Sequence, residues 1–247
     1  MDSFFSPSQF NFPKIFAHRG ASFYKPENTI LSFEHAHDLK AKGIEFDCWL
    51  TKDHHIVVLH DECLSKFGVL KKHINHTLLN EVQKLDAGTW FAKEYAGAKV
   101  PTLNEVFECI QNKNFLKLIE IKDENLLIVD KLNELIKKFK LQCPFFILSQ
   151  HLHILKYLNE KHPQYSKALV LDRPISTDDI ANAKTHNIPV FVQNHLYLDK
   201  GAFELLKEHK IEVLSYTVND LSICNQLSQT GKVQSFISDK PDLFLSY

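Results

Sequence analysis

The sequence carries no basic excess: 29 lysines and arginines stand against 30 acids, a formal net charge of −1. Proteins that grip DNA or RNA through their phosphates usually show a surplus of cations, so nucleic acid is not an expected partner. Glycine is scarce, 7 of 247 residues, and no pair of them forms the Gly-rich turn of a P-loop or dinucleotide site. No run approaches the ~18 apolar residues of a membrane-crossing helix. Residues 1–10 lack the basic and apolar regions of a signal peptide. A cytoplasmic protein without stable membrane association is the expectation. The cysteines are odd in number and widely scattered (Cys48, Cys63, Cys109, Cys143, Cys224), and none has C-x-x-C spacing. This argues against a disulfide framework and a zinc ribbon, and free thiols are expected.

What is present is an alternation. Short apolar or β-branched runs at 14–17, 43–47, 116–121, 145–148, 168–171, 189–192, 211–215 and 234–237 have the look of strands buried on both faces. Between them lie helical patterns, such as Ile128, Leu132, Leu135, Ile136 and Phe139 on one face. Eight strands alternating with helices predict a closed parallel (β/α)8 barrel in one domain, residues 1–247, with a doubly wound open sheet as the alternative. One segment breaks the pattern. Residues 51–55 predict a hairpin turn leading through 56–59 to His60, and 61–100 predicts a small excursion, too short and polar for a core of its own. Asn28 or Thr29 is the expected cap of the first helix. Trp90, Phe91 and Tyr95 are expected to pack over the barrel mouth.

The chemistry-bearing residues fall at predicted strand ends, which form the active face of such a barrel. His18-Arg19-Gly20 follows the first strand. Glu45 and Asp47 lie two apart near the end of the second and so share a face. Glu120 and Lys122 repeat that spacing on the third, and His60-Asp61 closes the hairpin strand. Three carboxylates of this kind are hard oxygen ligands suited to Ca²⁺ or Mg²⁺. Arg19 can grip a phosphate in a bidentate fork. Two imidazoles with ordinary pKa near ~6.5 can serve as acid and base on opposite sides of a phosphorus. Each residue alone has a plainer reading as a rim ion pair or a packed side chain. Their succession on neighbouring strand ends points to phosphodiester cleavage.

In order along the chain, Ala17-His18-Arg19-Gly20-Ala21-Ser22 with Pro26-Glu27-Asn28-Thr29, Gly43-Ile44-Glu45-Phe46-Asp47, Val57-Val58-Leu59-His60-Asp61, Leu85-Asp86-Ala87-Gly88, Ile119-Glu120-Ile121-Lys122, Tyr216-Thr217-Val218-Asn219 and Ser238-Asp239-Lys240-Pro241 resemble the glycerophosphodiester phosphodiesterases. The resemblance implies a TIM barrel that hydrolyses glycerophosphodiesters, small deacylated phospholipid head groups, to glycerol 3-phosphate and an alcohol. It further implies a divalent metal on Glu45, Asp47 and Glu120, an acid/base pair of His18 and His60, and phosphate held by Arg19 and Lys122. An intact-lipid phospholipase or lyase of the same barrel superfamily is the alternative, and a non-catalytic phospho-ligand-binding barrel a third. The chain departs from the family pattern at Asp53-His54, in 63–72, at Ser149-Gln150-His151, at Tyr216 and in 232–235. All of these lie outside the implied metal and acid/base set, so they bear on which alcohol is accepted.

Overall fold

The structure is a computed structural model that describes residue 12, residues 14–141 and residues 144–243. Residues 1–10 and Cys143 therefore lie outside the described residues. Among the described residues nine strands form one sheet: β1 Ile15–His18, β2 Gly43–Leu50, β3 Ile56–Val58, β4 Leu116–Ile121, β5 Phe145–Ser149, β6 Ser166–Leu171, β7 Val190–Asn194, β8 Glu212–Tyr216 and β9 Val233–Ser238. The sheet order is β1-β9-β8-β7-β6-β5-β4-β2-β3, and a parallel β1–β2 pairing closes it. That pairing rules out the open sheet. Eight parallel strands make the barrel, and β3 is an antiparallel hairpin partner of the far half of β2.

The helices are α1 Ile30–Asp38, α2 Leu79–Val82, α3 Leu103–Ile110, α4 Leu127–Lys138, α5 Leu152–Lys161, α6 Thr177–Thr185, α7 Lys200–Glu208 and α8 Leu221–Gln229. Helix α4 buries Ile128, Val129, Leu132 and Ile136, the face its periodicity predicts. Thr29, not Asn28, caps α1: its hydroxyl accepts from Ser32 N while Ser32 Oγ accepts from Thr29 N. The same reciprocal box opens α3 with Thr102 and Glu105, and α6 with Ser176 and Asp179.

Inside the barrel, alternate strand residues stack into an apolar plug that includes Phe16, Leu118, Phe146, Leu148, Val170, Val192, Leu214 and Ile237. Phe12 closes its lower end, its ring 5.2 Å from that of Phe146. Each of these large side chains stabilises the fold by ~1.5–3 kcal/mol through burial. Residues of the opposite strand faces, such as Ile44, Phe46, Ile119 and Ile147, pack against the surrounding helices.

Two expectations need correction. Strand β2 runs three residues past Asp47, because β3 pairs with Cys48, Trp49 and Leu50 and keeps the chain extended. Glu45 and Asp47 therefore stand within the barrel wall. The excursion does have a core: Leu64, Ile74, Val82, Ala87 and Val100 are buried together with Val57 and Leu59 of the hairpin. Its apolar residues show no period because they are gathered by 3-10 turns and loops rather than by one long helix or strand.

Candidate active site

Register brings the site together. In the β1–β2 pair His18 lies beside Glu45, and in the β2–β4 pair Asp47 lies beside Glu120. One ligand oxygen from each of Glu45, Asp47 and Glu120 lies within 4.8 Å of the others. The three side chains are nearly sealed from solvent, with residues 3%, 1% and 7% exposed. Burial, and then repulsion from Asp47 and Glu120, pushes the Glu45 carboxyl well above the usual carboxylate range. Burial also raises Glu120, only partly offset by Lys122. Burial would raise Asp47 too, but Arg19 and Lys122 outweigh it and hold Asp47 below its ordinary value.

The cations stand against this cluster. Arg19 Nε is 3.4 Å from Asp47 Oδ2, and Lys122 Nζ is 3.0 Å from Glu120 Oε1 and 3.7 Å from Asp47 Oδ1. The backbone amide of Arg19 donates to Glu45 Oε2 at 3.1 Å. Asn28 Nδ2 donates to Asp47 Oδ2 at 2.8 Å, and its Oδ1 accepts from Asp47 N. Glu45 Oε1 is buried and accepts no hydrogen bond. An orphaned carboxylate oxygen among hard oxygen donors, with repulsion still uncancelled, fits a divalent cation.

Both histidines are backed by carboxylates. His18 Nδ1 is 2.6 Å from Asp239 Oδ1, and His60 Nδ1 is 2.7 Å from Asp61 Oδ1. An ionised carboxylate can only accept, so each ring presents its Nε2 for other work. Burial lowers the pKa of His60, as do Arg19 and Lys122, against the opposite pull of Asp47 and Asp61. The Trp49 indole N–H donates to the carbonyl of His60 and fixes the end of the hairpin.

A cavity of about 610 Å³ opens over these groups and is lined by His18, Arg19, Glu45, Asp47, His60, Glu120 and Lys122. All seven residues singled out in the sequence thus line one cavity. Its other wall mixes apolar Leu148, Val170, Val192 and Ile237 with polar Gln150, Asp172, Tyr216 and Thr217, and the excursion adds Glu62, Cys63, Ser65 and His73. The volume suits a small-molecule ligand. Trp90, Phe91 and Tyr95 do not line it. They meet edge to face, Trp90 with Phe91 and Phe91 with Tyr95, and Lys25 Nζ donates to the Tyr95 hydroxyl, tying the excursion to the loop after β1.

A sequence model of the glycerophosphoryl diester phosphodiesterase family matches residues 18–243. The chain belongs to this family. It is 40% identical over 159 residues to a glycerophosphodiester phosphodiesterase of Caldanaerobacter subterraneus subsp. tengcongensis, a match spanning 63% of this chain and 65% of that protein. It is 31% identical to a Bacillus subtilis glycerophosphodiester phosphodiesterase, over 92% of this chain and 84% of that one. An Oleispira antarctica phosphodiesterase, solved in complex with the product sn-glycerol-3-phosphate, superposes with a TM-score of 0.89 at 26% identity. The superposition covers 95% of this chain and 96% of that one.

Within this family member, only some of the departures from the usual pattern reach the cavity: Cys63 and Ser65 from the excursion, and Gln150 and Tyr216 on its far side. The Tyr216 hydroxyl donates to the carbonyl of Leu171. His151 is linked through Nε2 to the carbonyl of Lys122 at 3.1 Å. Sequence reasoning gave no role to Asp239, Glu27 or Lys66, and read Asn28 only as a cap. The position of Asp239 directly after the last strand was an available signal, because closure makes β9 the neighbour of β1.

Proposed function

We propose that this barrel, acting as one unit, hydrolyses glycerophosphodiesters to glycerol 3-phosphate and an alcohol. His18 and His60 are its acid/base pair. The observation that carries this reading is two carboxylate-backed imidazoles in one cavity with three buried carboxylates and two cations. Glu45, Asp47 and Glu120 would hold Ca²⁺ or Mg²⁺, which when bound offsets phosphate charge and polarises the phosphorus–oxygen bonds. Arg19 binds phosphate oxygens with its planar fork, and Lys122 adds a point charge. One imidazole takes the proton of the attacking hydroxyl, either of water or of the substrate's own glycerol, and in the second case the cyclic phosphate formed is then opened by water to glycerol 3-phosphate. The other protonates the leaving oxygen through its Nε2. The scattered cysteines, unbridged among the described residues, support a reducing cytoplasmic setting, with lipid head groups and glycerol as the metabolic context.

The test is release of glycerol 3-phosphate from glycerophosphocholine and glycerophosphoethanolamine, with EDTA and then with added Ca²⁺ or Mg²⁺. Release that EDTA stops and metal restores is expected. His18→Ala and His60→Ala should each lower kcat by ~10²–10⁴ while the fold survives. Silence on both substrates in metal-loaded protein, with turnover of a lysophospholipid in its place, would replace this reading with the intact-lipid one.

A further inference from the structure

Lys66 belongs to the excursion, on the 3-10 turn Leu64–Phe67, and Leu64 of that turn is wholly buried in the excursion's core. Its ammonium nitrogen serves two carboxylates from different parts of the active face. Glu27 Oε1, on the loop after β1, is 2.7 Å away, and Asp61 Oδ2, just after β3, is 3.3 Å away. Each carboxylate also holds a group assigned above to the reaction. Glu27 Oε1 is 3.2 Å from Arg19 NH1, and Asp61 Oδ1 is 2.7 Å from His60 Nδ1. The Lys66 nitrogen also lies 4.8 Å from the centre of the Trp90 ring, within the same excursion.

The two arms thus meet at one cation. Removing it leaves Glu27 and Asp61 as neighbouring anions with nothing between them. Repulsion then turns Asp61 away from the imidazole and leaves Glu27 to draw on Arg19 alone. The His60 ring loses the acceptor that fixes its orientation, and the Arg19 fork is drawn toward Glu27 and away from its set position.

Resting on the catalytic reading above, we propose that Lys66 is a positioning residue through which the excursion sets both the His60 ring and the Arg19 fork. The excursion is then part of the active site's alignment and not only a roof over it. Its own core anchors the turn that carries Lys66.

The experiment compares Lys66→Met, Lys66→Arg, Lys72→Met and His60→Ala on glycerophosphocholine with saturating divalent cation, and records Tm for each. Lys72 is the control, since its nitrogen holds Glu81 at the same 2.7 Å in the same excursion without reaching the site. Lys66→Met should lower kcat by about 10-fold and raise KM, as loss of a supporting partner typically does. Lys66→Arg should recover most of that loss, and Lys72→Met should keep wild-type kcat. Nitrogen NMR of the metal-free protein should show the His60 Nδ1–H form in wild type and a tautomer mixture in Lys66→Met. Lys66→Met at full kcat beside an inactive His60→Ala would overturn the proposal alone. Equal losses in Lys66→Met and Lys72→Met would do the same, by tracing the effect to excursion stability. An active His60→Ala would overturn the catalytic reading and this proposal with it.

Discussion

His18 and Asp239 are 221 positions apart in the chain and 2.6 Å apart in space, because closing the barrel sets β9 against β1. Asp239 is held from three sides: His18, the Ser22 hydroxyl at 2.8 Å and the Asn219 amide at 2.6 Å. This fixes the ring that faces the cavity. Asp239→Asn keeps the shape but loses the charge that orients the imidazole, so kcat should fall ~10–100-fold with a small change in Tm. A mutant with wild-type kcat would remove Asp239 from any role in catalysis.

The same residue has a signature in acid. Burial alone would raise Asp239, but hydrogen bonds from His18, Asn219 and Ser22 pull it down to about 2. In the unfolded chain an aspartate titrates near ~3.9. Between those values the folded state binds fewer protons than the unfolded one, so stability rises with pH across that window. The contribution is complete by ~pH 5 and is lost as pH falls toward 2. Melting curves in that range should fall less steeply for Asp239→Asn than for wild type. Parallel curves would show that the carboxylate is not held ionised by these partners.

Glu45 sets a trade between stability and metal binding. Its Oε1 lacks a hydrogen bond, and its carboxyl is crowded by Asp47 and Glu120. Glu45→Gln relieves that repulsion at almost no change in volume. The metal-stripped variant should therefore melt higher than stripped wild type, by ~2–4 °C for each 1 kcal/mol relieved. It should also lose most of the rise in Tm that Ca²⁺ or Mg²⁺ gives the wild type. A full metal-induced rise in Glu45→Gln would take Glu45 out of the ligand set.

The barrel is legible because its strands are buried on both faces and so appear as short apolar runs between amphipathic helices. Glu45, Asp47, Glu120 and His60 stand out as charged or titratable residues within or beside such runs. What escapes is whatever depends on the path of the chain between elements. Asp239 gains its meaning only from closure, a contact across nearly the whole chain. The Glu27–Lys66–Asp61 bridge joins a loop to an excursion whose apolar residues follow no period. The extension of β2 past Asp47 depends on β3 pairing with it, and that moves the carboxylates from the rim into the wall.

Asn28 has a left-handed backbone, φ 56°, and spends its side chain on Asp47 in both directions. Asn28→Gly accommodates the backbone and deletes only the two hydrogen bonds. Asp47 would then be free to turn from its neighbours, and divalent-cation affinity should fall by about 10-fold. Thermal titration with Ca²⁺ or Mg²⁺ measures this directly. Because Thr29 and not Asn28 caps α1, helix content by circular dichroism should not change. A loss of helix with unchanged metal affinity would reverse the two roles.

Gly20 shows how closely the loop after β1 is packed onto the helix it leads into. Its φ is 81°, and a Cβ there would press into the backbone and side chain of Ser32. Ser32 is the residue that completes the cap of α1 and donates to the carbonyl of Arg19 at 2.9 Å. Gly231 provides the comparison, with φ 68° and open space where its Cβ would go. Gly231→Ala meets only the left-handed strain, ~1–2 kcal/mol, and should keep wild-type kcat. Gly20→Ala meets that strain and a collision, so it should lower Tm further and move Arg19 and His18 off their partners, with a loss of kcat. Equal Tm values and equal turnover for the two variants would show that the loop yields without disturbing the site.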